Sequence, residues 1–65
     1  MKEDMIKKVY YIERSGSLVS ALEYLDELIP CYWDLEPVEM GFMAVEVICF
    51  KADLAIVEKV FAPII

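Results

Sequence analysis

The sequence has no histidine, and its only two cysteines, Cys31 and Cys49, do not form a Cys-x-x-Cys pair. A zinc site therefore lacks ligands. No imidazole is present to activate Ser15, Ser17 or Ser20 as a nucleophile, and neither cysteine has a predictable cationic neighbour that would favour the thiolate. We expect no catalytic residues, no metal and no cofactor, so the protein is predicted not to be an enzyme.

Basic residues are also scarce, with six lysines and arginines against twelve acidic residues and a net charge of −6. Binding to nucleic-acid phosphates needs clustered cations, and Lys7-Lys8 is the only such cluster. We therefore expect no nucleic-acid partner. An acidic surface of this kind favours solubility, and it also suits a protein partner with a basic surface.

Long apolar runs are absent, because charges such as Glu46, Lys51 and Asp53 interrupt them. None approaches the roughly 18–20 residues of a transmembrane helix. The first residues, Met1 to Asp4, are not followed by the apolar core of a signal peptide. The sequence predicts a cytoplasmic protein without a membrane partner.

What the chain has in excess is apolar side chains, at 60% of 65 residues. Soluble domains typically contain about 45–50%. A single domain over residues 1–65 is close to the lower size limit for independent folding and has little interior. Part of the apolar surface is therefore expected in an interface, which predicts a homo-oligomer.

The first half of the chain indicates a strand followed by a helix. β-branched and aromatic residues over Ile6–Glu13 predict the strand, which ends at a cluster of turn formers. Apolar residues at steps of three and four predict a helix over Leu18–Ile29, with Ser15 or Ser17 as its N-cap and Pro30 ending it.

The second half indicates a hairpin. Cys31–Val38 alternates between apolar and polar residues and predicts a strand, with Pro37 at its end or on a sheet edge. Gly41 suits a turn that requires a positive φ. Phe42–Phe50 is apolar on both faces and predicts a central strand, in which the lone carboxylate of Glu46 should reach water or a cation.

A second helix is predicted from Leu54, with Asp53 as its N-cap, to a point before Pro63. The order strand, helix, strand, strand, helix predicts an α+β fold of the ferredoxin-like type, βαββα. This is the split βαβ pattern lacking its last strand, with an antiparallel three-stranded sheet and two helices on one face. The first strand would then be an open edge.

An open edge of this kind favours association, either edge to edge or through the face of the sheet without helices. The candidate interface residues are Lys8, Tyr10, Ile12, Tyr32 and Ile48, and the last four of these are expected on the face without helices. Lys7 and Lys8 also protect an edge strand against pairing.

The loop Arg14, Ser15, Gly16 and Ser17 is the candidate ligand-binding site. It follows a strand and opens a helix, so free backbone N–H groups and the positive end of the helix dipole meet there, and Arg14 adds charge. The alternative interpretation is ordinary helix capping by serine.

The element order resembles that of small ligand-sensing modules of the ACT type, and that of heavy-metal-binding domains with the same fold. The metal-binding domains carry paired cysteines in the first loop, where this chain has Arg14-Ser15-Gly16-Ser17, so their activity is excluded. The likeness to ACT modules concerns element order only.

These observations predict a small non-enzymatic regulatory or interaction domain that self-associates through its sheet, with a small metabolite bound at a subunit boundary. The alternative is a stand-alone acidic protein inhibitor, for instance of phage origin, that binds a basic surface of a partner protein.

Overall fold

The computed structural model describes residues 4–65. Its elements are β1 (Met5–Glu13), α1 (Gly16–Leu28), β2 (Cys31–Glu39), β3 (Phe42–Phe50) and α2 (Leu54–Phe61), with short 3-10 turns at Lys51–Asp53 and Ala62–Ile64. The predicted order of elements is confirmed, and the predicted bounds differ by no more than two residues. The largest difference is at the start of α1, which begins at Gly16 rather than Leu18.

The three strands form one antiparallel sheet in the order β1-β3-β2. The central position of β3 agrees with its apolar residues on both faces. Pairing between β1 and β3 is regular from Met5 to Glu13, whereas β2 shows a register shift between Pro37 and Glu39. Together with the two helices, this sheet makes the fold α+β.

Local sequence signals explain how the elements begin and end. Gly41 has a φ of 83° in the β2–β3 turn, a conformation that other residues rarely adopt. Ser15 is the N-cap of α1, although its side chain makes no capping hydrogen bond. Asp53 precedes α2, and that helix ends at Phe61, before Pro63. The predicted end of the α-helix ahead of the proline is confirmed, although Ala62 keeps helical angles and a 3-10 turn continues to Ile64.

Both helices pack on the same face of the sheet. The buried side chains come from β1, α1, β3 and α2 and from the residue directly after α1: Ile12, Leu18, Leu22, Leu25, Ile29, Val45, Val47, Cys49, Val57 and Phe61. In β3 the odd-numbered residues belong to this core, while its even-numbered residues point to the other face and keep some exposure. We call the face without helices the open face.

The expectation that Tyr10 and Ile12 lie on the open face is wrong. In the register of β1 with β3, Tyr10 lies opposite Val45 and Ile12 opposite Met43, on the face that the helices cover. Ile12 is only 1% exposed. Apolar residues occupy consecutive positions from Val9 to Ile12, so their pattern does not show which alternate set faces the core.

Candidate functional site

The predicted ligand site, Arg14 to Ser17, lies where β1 leads into α1: Arg14 and Ser15 precede the helix, and Gly16 and Ser17 are its first two residues. The structure divides these residues between two clefts. The backbone N–H of Arg14 donates to the carbonyl oxygen of Gly41 at 2.7 Å, which extends the β1–β3 ladder. Arg14 and Ser15 line an open cleft of about 300 Å³, whereas Gly16 and Ser17 line a groove of about 710 Å³. The four residues do not converge on one pocket, and ligand binding by this loop stays a prediction.

The larger groove runs between α1 and α2. Tyr24, Lys59 and Val60 line both this groove and an adjoining cleft of about 330 Å³. Lys59 is the only charged residue among the residues that line either space, and the remainder are apolar or small. The lining is therefore mostly apolar, with one cationic side chain contributed by α2.

The two cysteines lie directly opposite each other in the β2–β3 pairing, and both are free thiols. Burial raises the pKa of Cys49, and the charge of Asp53 adds to this effect. Burial also raises the pKa of Cys31, to about 11, helped by the Asp26 carboxylate, which accepts a hydrogen bond from the Cys31 thiol at 3.7 Å. Both thiols are therefore protonated near neutral pH and are poor nucleophiles.

The open face presents side chains from all three strands, and no element among residues 4–65 covers it. Its members are Met5, Lys7, Val9, Tyr11 and Glu13 of β1, Tyr32, Asp34, Glu36 and Glu39 of β2, and Phe42, Ala44, Glu46, Ile48 and Phe50 of β3. Tyr32 and Ile48, two of the predicted interface residues, are direct cross-strand neighbours on this face, and Tyr32 is 73% exposed. The face is thus predominantly apolar, with charges in its middle.

The charges of the open face lie beside one another. Asp34 is opposite Glu46 in the β2–β3 register, and Glu36 lies on the same side of β2. The Nζ atom of Lys7 is 3.7 Å from the Oε2 atom of Glu46. The sequence expectation that Glu46 reaches a cation is therefore confirmed. Because both partners are well exposed, this ion pair contributes little to stability.

Two hydrogen bonds show which backbone groups of β1 point away from the sheet. The N–H of Arg14 donates to Gly41 at 2.7 Å, and the N–H of Lys51 donates to Asp4 at 2.8 Å, both in the β1–β3 register. Hydrogen-bonded and non-hydrogen-bonded pairs alternate in an antiparallel ladder. The even-numbered residues of β1 therefore bond to β3, and its odd-numbered residues direct their N–H and C=O groups outward.

The same alternation shows which backbone N–H and C=O groups of β2 point away from the sheet. Odd residues of β3 bond to β1, so its even residues bond to β2. Pro37 lies opposite Met43, and its nitrogen therefore points away from β3, where a missing N–H leaves the ladder intact. The sequence predicted Pro37 for a strand end or an edge. The structure shows that it protects the outer edge of β2.

Sequence reasoning missed the contrast between the two edges. The outer edge of β1 has neither a proline nor a register shift, and Lys8 lies on its helix side, opposite Val47. The sequence does contain a signal for this contrast, because β2 contains Pro37 and β1 contains no proline. However, the direction of each backbone group depends on the register, which the sequence does not show.

Within residues 4–65, no helix is long and apolar enough to cross a membrane. No group of three histidine, cysteine, aspartate or glutamate side chains in this part of the chain is placed to hold a metal ion. No family model, curated protein or solved structure matches the chain.

Proposed function

We propose that this protein is a small non-enzymatic interaction domain with a regulatory role, which self-associates through its sheet in the cytoplasm. The observation that carries the proposal is the open face, an uncovered and largely apolar surface built by all three strands. Contiguous exposed apolar surface is typical of interaction sites.

The proposal includes the finer description of the fold as ferredoxin-like βαββα without its last strand. The order β1-β3-β2 and the two helices on one face support this description. In the complete arrangement, a fourth strand would pair with β1. In the structure of residues 4–65, no strand occupies that position. A partner strand at β1 would complete the sheet.

A non-enzymatic role is supported by the chemistry of the described residues. The two thiols are held protonated, which makes them poor nucleophiles. Free thiols are also what a reducing cytoplasm maintains. A small metabolite at a subunit boundary remains part of the proposal, and the cleft beside Arg14 and Ser15 is a site that it could occupy.

Sedimentation equilibrium over a range of protein concentrations tests self-association. We expect a mass of at least two chains of 7.5 kDa, falling on dilution. A mass of one chain at every concentration would rule the proposal out.

Two valine substitutions then locate the surface. Val9→Lys places a charge on the open face, where Val9 is 44% exposed, and Val19→Lys places it on α1, where Val19 is 54% exposed. We expect only Val9→Lys to reduce the mass to that of one chain. Circular dichroism checks that both variants fold.

The alternative, an acidic inhibitor of a partner with a basic surface, is favoured by the adjacent carboxylates Asp34, Glu36 and Glu46 on the open face. Its test is capture of partners from a lysate of the host by the wild-type chain and by Asp34→Lys/Glu36→Lys. An inhibitor of this kind should remain one chain in solution and should lose its partner on charge reversal. Self-association that survives the charge reversal would favour the first proposal.

A further inference from the structure

The outer edge of β1 is a regular row of backbone donors and acceptors. Its members are the N–H and C=O groups of Met5, Lys7, Val9, Tyr11 and Glu13, and no strand among residues 4–65 pairs with them. We propose that a second copy of this chain pairs antiparallel with this edge, about a two-fold axis at Tyr10. Lys7 then lies opposite Glu13 of the partner subunit. This inference rests on the proposed self-association and names its edge and register.

The two outer edges of the sheet differ, and the difference favours β1 as the edge at which a second copy pairs. The outer edge of β2 carries Pro37, which lacks a donor at an outward position, and a register shift next to it. The outer edge of β1 is uninterrupted over nine residues, and all of its outward positions have both a donor and an acceptor. A strand added at β1 can therefore bond along its whole length, which a strand added at β2 cannot.

A second copy fits this edge because β1 is complementary to itself. Its cations, Lys7 and Lys8, lie near the middle, and Glu13 lies at the end. Two identical strands related by a two-fold axis run antiparallel, and the dimer they form is closed. Antiparallel pairing carries the end of one copy toward the middle of the other, so that the carboxylate of each Glu13 approaches a lysine.

Like charges restrict the register in which the two β1 strands can pair, because like charges directly opposite each other destabilise a strand pair. An axis at Lys7 or Lys8 would pair that lysine with its own copy. An axis at Tyr11 would place Lys8 opposite Arg14. An axis at Val9 would leave the two Lys8 side chains as diagonal neighbours and Glu13 opposite an uncharged residue.

The axis at Tyr10 places no like charges directly opposite each other. Lys8 and Arg14 of the partner subunit are diagonal neighbours in this register, but, unlike the axis at Val9, the axis at Tyr10 also pairs opposite charges. It places Lys7 opposite the partner's Glu13 twice, once on each side of the axis. Val9 then faces the partner's Tyr11, a β-branched and aromatic pair of the kind that stabilises antiparallel strands. Lys7, Val9, Tyr11 and Glu13 each exchange two backbone hydrogen bonds with the second copy. The two open faces join into one surface across six strands.

Total synthesis of the 65-residue chain with a methyl group on the backbone nitrogen of Val9 tests the edge. The methyl group removes an outward donor and blocks close approach, while the β1–β3 hydrogen bonds and all side chains stay in place. The matched control is the same methyl group on Trp33, whose N–H points outward from β2. We expect loss of the dimer for the Val9 chain alone, measured by sedimentation.

Charge reversal tests the register. Lys7→Glu and Glu13→Lys each create like-charge contacts on both sides of the axis, and each should weaken its own dimer roughly tenfold. Mixing the two variants places opposite charges at both contacts again, so native mass spectrometry should show a one-to-one heterodimer. The control is Lys7→Glu mixed with Glu39→Lys, which has the same charges but carries the lysine on β2, away from this edge. No excess of heterodimer over that control would overturn the register.

The outcomes separate this inference from the proposed function. A wild-type chain that is monomeric throughout contradicts both. An oligomer that methylation of Val9 leaves unchanged contradicts the edge pairing and keeps self-association, through the open face instead. The third outcome is that Val9 methylation abolishes the dimer but mixing Lys7→Glu with Glu13→Lys gives no heterodimer. This outcome supports pairing at the β1 edge and excludes the axis at Tyr10.

Discussion

The ring of Tyr10 packs against the ring of Phe61, with 5.0 Å between the two centroids and a tilt of 40° between the planes. This contact joins β1 to α2, and Phe61 has no exposed surface. The hydroxyl oxygen of Tyr10 is buried as well, and it has no hydrogen-bond partner among the described residues. The tyrosine thus combines a favourable ring contact with an unsatisfied polar atom.

Tyr10→Phe keeps the ring contact and removes the unsatisfied hydroxyl. We expect the free energy of unfolding to rise by about 1 kcal/mol, because a buried polar group without a partner is destabilising. Tyr10→Leu, which loses the aromatic contact with Phe61, should lower it instead. Urea denaturation of the two variants measures both values. A clear loss of stability in Tyr10→Phe would show that the hydroxyl has a partner.

Ile12 and Tyr11 are neighbours in β1 that point to opposite faces of the sheet. Ile12→Ala creates a cavity in the core and should lower the free energy of unfolding by about 2–5 kcal/mol. Tyr11→Ala, at a residue that is 66% exposed, should lower it by less than about 1 kcal/mol. Thermal or urea unfolding at low protein concentration compares them. Equal losses would contradict the assignment of faces in β1.

Gly41 and Gly16 differ in backbone conformation, although an added methyl group would meet no atom within 4 Å at either position. Gly41 has a positive φ, so Gly41→Ala should destabilise the β2–β3 turn by about 1 kcal/mol. Gly16 has no atom within 4 Å of the position of an added Cβ, and it lies at the start of α1. Gly16→Ala should therefore be neutral or raise the free energy of unfolding by about 0.5 kcal/mol. Urea denaturation of the two variants measures both changes. A Gly16→Ala chain less stable than the Gly41→Ala chain would be incompatible with the positive φ of Gly41.

Alkaline pH should destabilise the fold through Cys31. Its pKa is about 11 in the folded chain and near 9 when unfolded, so the unfolded state loses the proton first as pH rises. The stabilisation is complete below pH 9 and is lost between pH 9 and 11, by an amount on the order of 1 kcal/mol. Cys31→Ala removes this part of the pH dependence. If the free energy of unfolding falls equally steeply with pH between pH 9 and 11 in the wild type and in this variant, the raised pKa of Cys31 is contradicted.

Asp26 links α1 to β2, because its carboxylate also accepts a hydrogen bond from the indole N–H of Trp33, at 3.2 Å from Oδ2. Asp26→Asn removes the charge and keeps an acceptor. The pKa of Cys31 should then fall below about 11 but stay above 9, since burial is the larger cause of the shift. Thiolate absorbance during alkaline titration, corrected with Cys31→Ala, measures it. An unchanged pKa would show that the carboxylate has no influence on the thiol.

Local signals explain why most of the fold was predictable. The three- and four-residue spacing before Pro30 specifies α1, and Gly41 specifies the turn between β2 and β3. The apolar residues on both faces of β3 correctly placed it in the centre of the sheet. Each of these inferences depends on residues close together in the chain, so no tertiary contact was needed to make it.

The candidate site was less predictable. The sequence could assign Tyr32 to a face because polar residues alternate with apolar ones in β2, and Ile48 because it shares an alternate set of β3 with Glu46. It could not do so for Tyr10 and Ile12, since β1 has apolar residues at consecutive positions. The predicted loop from Arg14 to Ser17 is shorter in the structure, because α1 already begins at Gly16. The division of these four residues between two clefts depends on distant elements packed against them.

The sequence by itself therefore determined the elements, their order, and an apolar content that a chain of this length does not fully bury. Only the tertiary structure decided which side of β1 is covered and which backbone groups of the two edge strands point outward. The physical reason is that side-chain and hydrogen-bond directions in a strand alternate with a period of two. A one-residue change of register would exchange them all, and long-range packing against β3 and the helices sets that register.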